Sequence, residues 1–278
     1  MTPPRTCPVA HQTGAPAADA KGQVTFRRDA AVAYVSLDHP GRMNAITVAM
    51  WRALAQTFAA ISADRSIRCV VITGAGDHFA AGADIREFPQ ERSDRRSVAH
   101  YHRQVLAPAL HAIGNCAQPV VARIRGVCVG GGLEIASQCD LRIAGAGARL
   151  GVPINRLGFP MAPEELRGLL DLAGRATTLE LLLEGRILDA REAYEKGLLT
   201  RVVEDAALDE AVTACVRRIL AGAPSAARIN KRTVQRLSQP QPLHEDEYHE
   251  FFSYAESPDH KEGVRAFLAG EGPSFSGD

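Results

Sequence analysis

Apolar positions follow two rhythms along this chain. Short, nearly continuous apolar runs of the kind that form buried strands occur at VAYVSL within Val24–Leu37, at CVVIT (Cys69–Thr73) and at Val120–Ile124. Another lies in LRIAGAGARLG, which follows Asp140 and is closed by glycines. The other rhythm is helical. Met50, Leu54, Phe58 and Ile61 fall on one stripe and predict a helix over about Thr47–Ala63. Helical spacing recurs over Arg95–Ala112, after Gly132, and over Leu166–Leu172, Thr177–Glu184, Ala190–Lys196 and Asp205–Ala221. Strands alternating with helices, followed by a mostly helical last third, predict an α/β core with a helical appendage.

Composition narrows the class. The 278 residues suffice for one large domain or one and a half, and 46% hydrophobic with 23% charged residues is ordinary for a globular protein. Lys+Arg and Asp+Glu are both 32, so the net charge is zero and no nucleic-acid or membrane surface is indicated. No apolar run approaches the roughly 20 residues that span a bilayer. Residues 1–21 are rich in Pro and Ala and are expected to form a disordered tail. The six cysteines (Cys7, Cys69, Cys116, Cys128, Cys139 and Cys215) form no C-x-x-C pair, so neither a metal site nor a disulfide framework is expected. Four of them sit in apolar strand or helix contexts, which suits a reducing cytoplasm.

Two nucleotide-site patterns fail on inspection. Gly74-Ala75-Gly76 and Gly145-Ala146-Gly147 both follow strands, but the third glycine of G-x-G-x-x-G is Phe79 in one and Leu150 in the other. No G-x-S-x-G elbow is present either.

The strongest chemical signal is PVVARIRGVCVGGGLEIASQCD (Pro119–Asp140). A strand runs through glycines into a helix, which leaves peptide N–H groups uncovered at a positive helix end, with Glu134 one turn inside. A glycine run can be only a tight turn, and a glutamate there can be only a cap. Together they can also supply donors for an oxyanion and an acid/base group beside it.

Four segments, taken in order, carry a resemblance. HPGRMNAIT (His39–Thr47), VVITGAGDHFAAGADIREF (Val70–Phe88), PVVARIRGVCVGGGLEIASQCDLRIAG (Pro119–Gly145) and LEGRILDAREAYEKGLLTRVV (Leu183–Val203) resemble the crotonase, or enoyl-CoA hydratase/isomerase, superfamily. HKEGVRAFLAGEGPSF (His260–Phe275) is similar to a divergent form of its C-terminus. The resemblance implies a crotonase-like spiral of β-β-α repeats over residues 22–204 and a C-terminal helical region over 205–278 that builds a homotrimer or a dimer of trimers. It implies an acyl-CoA thioester as substrate, coenzyme A entering only as part of it, with no other cofactor, no metal, no nucleic acid and no membrane. The oxyanion hole falls on the N–H groups of Ala83 and Gly131, and the acid/base on Glu134. Coenzyme A is expected along Arg42, Ala45, Ala81, Gly82, Asp84 and Ile85.

The chain also departs from the pattern. The second glutamate of the hydratases follows a proline and falls here on Ile154, which can neither carry a proton nor orient water. Glu164, Glu165, His100 and His102 are the candidates for a replacement, although Pro163-Glu164-Glu165 is also a helix start. Ala269-Gly270-Glu271-Gly272 lacks the basic pair that usually precedes the family's final proline. Hydration or isomerisation of an enoyl-CoA is the expected reaction. Other chemistry on a CoA thioester (hydrolysis, decarboxylation) and a non-catalytic acyl-CoA-binding role stay open.

Overall fold

In the computed structural model, which describes residues 21–277, VAYVSL forms a strand as expected, and the residues before it add a second strand to make a hairpin. β1 (Gln23–Asp29) pairs antiparallel with β2 (Val32–Asp38) across a turn in which Ala30 has φ +48°. β1 carries Thr25, Arg27 and Arg28 and lies mostly in solvent, so it lacks the apolar run that marks β2. The tail expected over residues 1–21 lies outside the described residues except for Lys21.

The chain continues through α1 (Val48–Ala63), β3 (Cys69–Gly74), α2 (Phe88–Glu91) and α3 (Arg95–His100). A π-helical segment (Tyr101–Leu106) joins α3 to α4 (Ala107–Gly114). Then come β4 (Val120–Ile124), β5 (Val127–Val129), α5 (Gly131–Gln138), β6 (Leu141–Gly145) and β7 (Arg149–Gly151). After them lie α6 (Pro163–Glu184), β8 (Ile187–Asp189), α7 (Ala190–Glu195), β9 (Arg201–Val203) and α8 (Leu208–Ala221). The C-terminal helices are α9 (Pro224–Leu237), α10 (Glu245–Phe252) and α11 (Pro258–Ala269). The two helices read at Leu166–Leu172 and Thr177–Glu184 are the halves of α6, joined across Gly174, whose φ of +71° interrupts the helical geometry.

Two sheets organise the core. The larger has the order β1-β2-β3-β4-β6-β9, parallel from β2 onward, and the smaller has the order β5-β7-β8. The chain visits them in turn. β4 in the large sheet leads to β5 in the small one and then to α5, and β6, β7 and α6 repeat the path. The large sheet is covered on both faces. Val70, Ile72, Val120 and Ala122 pack with α1 and α4, while Cys69, Val71, Val121 and Ile143 pack with Leu208, Val212 and Cys215 of α8. Strands buried on both sides read as continuous apolar runs, which is why β3 and β4 stand out in the sequence. Cys69, Cys116, Cys128, Cys139 and Cys215 are buried and unpaired, and Cys7 lies outside the described residues.

α9 is tied to the core by Lys231, whose Nζ lies 2.8 Å from Asp140 Oδ2 and donates to the Gln118 carbonyl at 3.1 Å. Beyond it, α9–α11 display Val234, Leu237, Phe252, Phe267 and Leu268 to solvent, Phe267 being 85% exposed. No helix among the described residues is long and apolar enough to cross a membrane.

Candidate active site

The His39–Ile46 loop is held by one side chain. Asn44, buried and at φ +57°, accepts from His39 N at 3.0 Å and donates to the carbonyls of Ala75 at 2.9 Å and His78 at 2.7 Å. This clamps the turn against the segment after β3. Ala81 N then donates to Met43 O at 2.9 Å, Ile46 N to Gly82 O at 2.8 Å and Asp84 N to Ile46 O at 2.9 Å. Those bonds use the polar groups on either side of Ala83. Alternation along an extended segment turns the Ala83 N–H the other way, and it has no acceptor among the described residues.

Gly131, the first residue of α5, faces it. Its N–H also lacks an acceptor among the described residues, as expected for an orphan amide at a helix start. Glycine is required there by close approach: a Cβ on Gly131 would lie 2.9 Å from Trp51 Cζ2 and 3.4 Å from Ala83 N. Two unpartnered peptide donors therefore sit side by side, one of them at a helix N-terminus, where an anionic oxygen is favoured.

A cavity of about 90 Å³ opens on this pair. Glu134, in the first turn of α5, is 6% exposed and its Oε2 has no hydrogen-bond partner. Burial holds its pKa well above the usual carboxylate range, the charge of Glu165 adds to the rise, and Arg92 opposes it. Glu165, 3% exposed in the first turn of α6, lines the same cavity. Its Oε1 shares a hydrogen bond with His102 Nδ1. The π-helical segment carries both Tyr101, which is fully buried, and His102, whose ring meets it edge-on with centroids 5.3 Å apart. Widened turns of this kind recur at functional sites.

The four candidates for a second acid/base thus part company. Ile154 lines the cavity as an apolar wall, and Glu165 brings a carboxylate into the same space from the next element. His102 stands behind Glu165. Glu164, the immediate neighbour in sequence, does not line the cavity, and His100 is exposed.

Of the residues expected along coenzyme A, Ala81, Gly82 and Ile85 line the cavity beside Ala83. Arg42 is exposed in the adjoining turn, where its carbonyl accepts from Ala45 N at 3.0 Å. The Asp84 carboxylate is already engaged by Arg86, through the backbone N at 3.1 Å and Nε at 2.9 Å. The Arg86 side chain is the main reason its pKa lies below the ordinary value.

The profile of the enoyl-CoA hydratase/isomerase family matches residues 27–278. The chain belongs to that family. It is an acyl-CoA-processing enzyme of the hydratase/isomerase type, and its fold is the crotonase fold. A solved enoyl-CoA hydratase/carnithine racemase from Magnetospirillum magneticum is 45% identical, with a TM-score of 0.90, over 93% of this chain and 97% of the other. The (E)-benzylidenesuccinyl-CoA hydratase of Thauera aromatica is 30% identical over 91% of this chain and 99% of its own length. A probable enoyl-CoA hydratase of Rhizobium meliloti is 33% identical over 86% and 91%.

Within this family member, one group in the cavity escaped the sequence reading. Arg92 stacks its guanidinium over Phe88 at 3.8 Å and Tyr101 at 4.1 Å, with Phe159 at 5.1 Å. It sits in the polar run Glu91-Arg92-Ser93-Asp94-Arg95-Arg96, which carries no spacing signal to separate it from solvated charges.

Proposed function

We propose that this enzyme adds water across the double bond of a 2-enoyl-CoA thioester. The amides of Ala83 and Gly131 hold the thioester oxygen, Glu165 acts as base and Glu134 as acid. The observation that carries this is the convergence of two buried carboxylates in one cavity with two unpartnered peptide donors.

The protonation states divide the work. Burial, with the neighbouring charge of Glu165, raises the pKa of Glu134 and so favours the protonated form that can give a proton. Glu165, hydrogen-bonded to His102, accepts a proton from water as the water oxygen bonds to Cβ. The electron pair of the double bond moves toward the thioester, and the resulting enolate oxygen is held by the two amides. Glu134 then delivers its proton to Cα, and Arg92 offsets the charge left on it. The sum is one water added, with a proton moved from Glu134 to Glu165 that exchange with solvent restores. Ile154 walls the other side of the cavity. Coenzyme A lies along Arg42, Ala45 and the Ala81–Ile85 strip, with peptide groups rather than the Asp84 carboxylate as contacts.

The exposed apolar side chains of α9–α11 support burial of this region against further copies of the chain, as a trimer or a pair of trimers. The buried, unpaired cysteines support a cytoplasmic setting. The test is incubation with short, long and aromatic 2-enoyl and 3-enoyl thioesters, with products read by mass. Gain of one water by a 2-enoyl thioester is expected. Conversion of 3-enoyl to 2-enoyl thioesters without any hydration overturns the reading.

A further inference from the structure

Arg92 is a cation in search of a partner. Arg123, Arg186, Arg236 and Arg265 are each paired to a carboxylate. Arg92 forms no ion pair among the described residues, and its buried Nε has no hydrogen-bond partner. The two carboxylates that share its cavity do not supply one. Glu165 is committed to His102, and Glu134, whose pKa burial raises against the opposing charge of Arg92, makes no ion pair with it.

The aromatic rings explain how the cation is kept in place. Phe88 and Tyr101 lie against the guanidinium, which orients it and holds it without neutralising it. Stacking occupies the faces of the planar group, and the one side-chain hydrogen bond on its edge among the described residues goes to the neutral Tyr101 hydroxyl, which leaves the charge uncompensated and Nε unpartnered. That edge matches the two oxygens of a carboxylate. A neutral alkyl chain in the cavity would displace water from this edge and leave the charge unpaired, which is unfavourable. A cationic chain would be repelled.

Building on the reading of the cavity as the acyl site, we infer that this enzyme selects thioesters whose acyl chain ends in a carboxylate, and that Arg92 is the specificity-determining residue that binds it. The substrate class is the CoA monothioester of a dicarboxylic acid.

The test is calorimetric binding of saturated, unreactive thioesters to the full chain. Glutaryl-CoA is compared with pentanoyl-CoA and with 4-trimethylammoniobutyryl-CoA, and adipoyl-CoA with hexanoyl-CoA to cover a longer reach. In wild type, at least one dicarboxylic thioester should bind about tenfold to a hundredfold tighter than its neutral partner, and the ammonium thioester should bind weakest. Arg92→Met should erase that ratio, and Arg92→Lys should retain part of it, because the charge stays and the planar fork is lost. Ratios within one protein variant cancel any general loss of affinity. The inference is overturned if neither dicarboxylic thioester is preferred by wild type, a result that needs no variant to fold. It is equally overturned if Arg92→Met keeps the preference. These ligands have no double bond to hydrate, so a failure of the hydration reading leaves this outcome legible on its own.

Discussion

Gly131→Ala separates the two demands on the oxyanion hole. The added methyl would stand 2.9 Å from Trp51 Cζ2 and 3.4 Å from Ala83 N. Trp51 is fully buried in α1, so it cannot swing clear. Overpacking of this kind costs typically about 1–3 kcal/mol. At about 2–4 °C per kcal/mol for a chain somewhat smaller than this one, the melting temperature should fall by roughly 2–12 °C. The same methyl crowds the space between the two amides. Loss of one oxyanion donor lowers kcat by about 10² to 10³, and a comparable fall is expected here. Trp51→Phe in the Gly131→Ala background distinguishes the effects. Phenylalanine lacks the ring that carries Cζ2, and the only side-chain hydrogen-bond contact of Trp51 among the described residues that goes with it is to the Tyr101 hydroxyl. The double variant should therefore regain part of the melting temperature while its turnover stays low. Thermal scans and turnover of the preferred 2-enoyl thioester read both. A folded Gly131→Ala variant with near-normal kcat would refute the placement of the thioester oxygen between the Ala83 and Gly131 amides, because the added methyl occupies that space while the N–H itself remains.

Other outcomes follow from the same geometry. Because the folded pKa of Glu134 is raised, its contribution to stability is complete below the ordinary glutamate value of 4.5 and is lost as pH rises through the folded value. Glu134→Gln should therefore gain melting temperature relative to wild type as the pH of the scan is raised, while its turnover is abolished. Ile154→Glu, which would place a glutamate at the family's usual position, should lower hydration rather than raise it, since a third carboxylate enters a small cavity that already holds two; a rise in crotonyl-CoA hydration would show that Glu165 is not the base. Light scattering at micromolar concentration should report a trimer or a multiple of it, and a stable monomer would contradict the role given to α9–α11.

The sequence exposed those parts of the fold whose burial is uniform or strictly periodic. The stripe Met50, Leu54, Phe58 and Ile61 is buried in α1 as its spacing predicts, and β3 and β4 lie where continuous apolar runs placed them. β5, β7, β8 and β9 are 3 residues each, too short for an alternation to register. The active-site loops show the same division. Gly131 and Glu134 are adjacent along one strand–helix junction, so local chemistry reveals them. Glu165 reads as an ordinary acidic residue in a helix's first turn, and only the packing of α6 against the cavity separates it from Glu164. Arg92 and its rings come together from Phe88, Tyr101 and Phe159, residues whose proximity depends on the tertiary fold.

The central claim is that Glu165 supplies the carboxylate that Ile154 cannot. Glu164→Gln and Glu165→Gln test it as a pair, because the two residues are neighbours on one helix start and only Glu165 lines the cavity. General acid–base groups contribute typically about 10² to 10⁴ in rate. Steady-state hydration of crotonyl-CoA, or of whichever 2-enoyl thioester wild type hydrates best, should fall by at least about a hundredfold in Glu165→Gln and stay within a few-fold of wild type in Glu164→Gln. Brisk hydration by a folded Glu165→Gln variant would contradict the account.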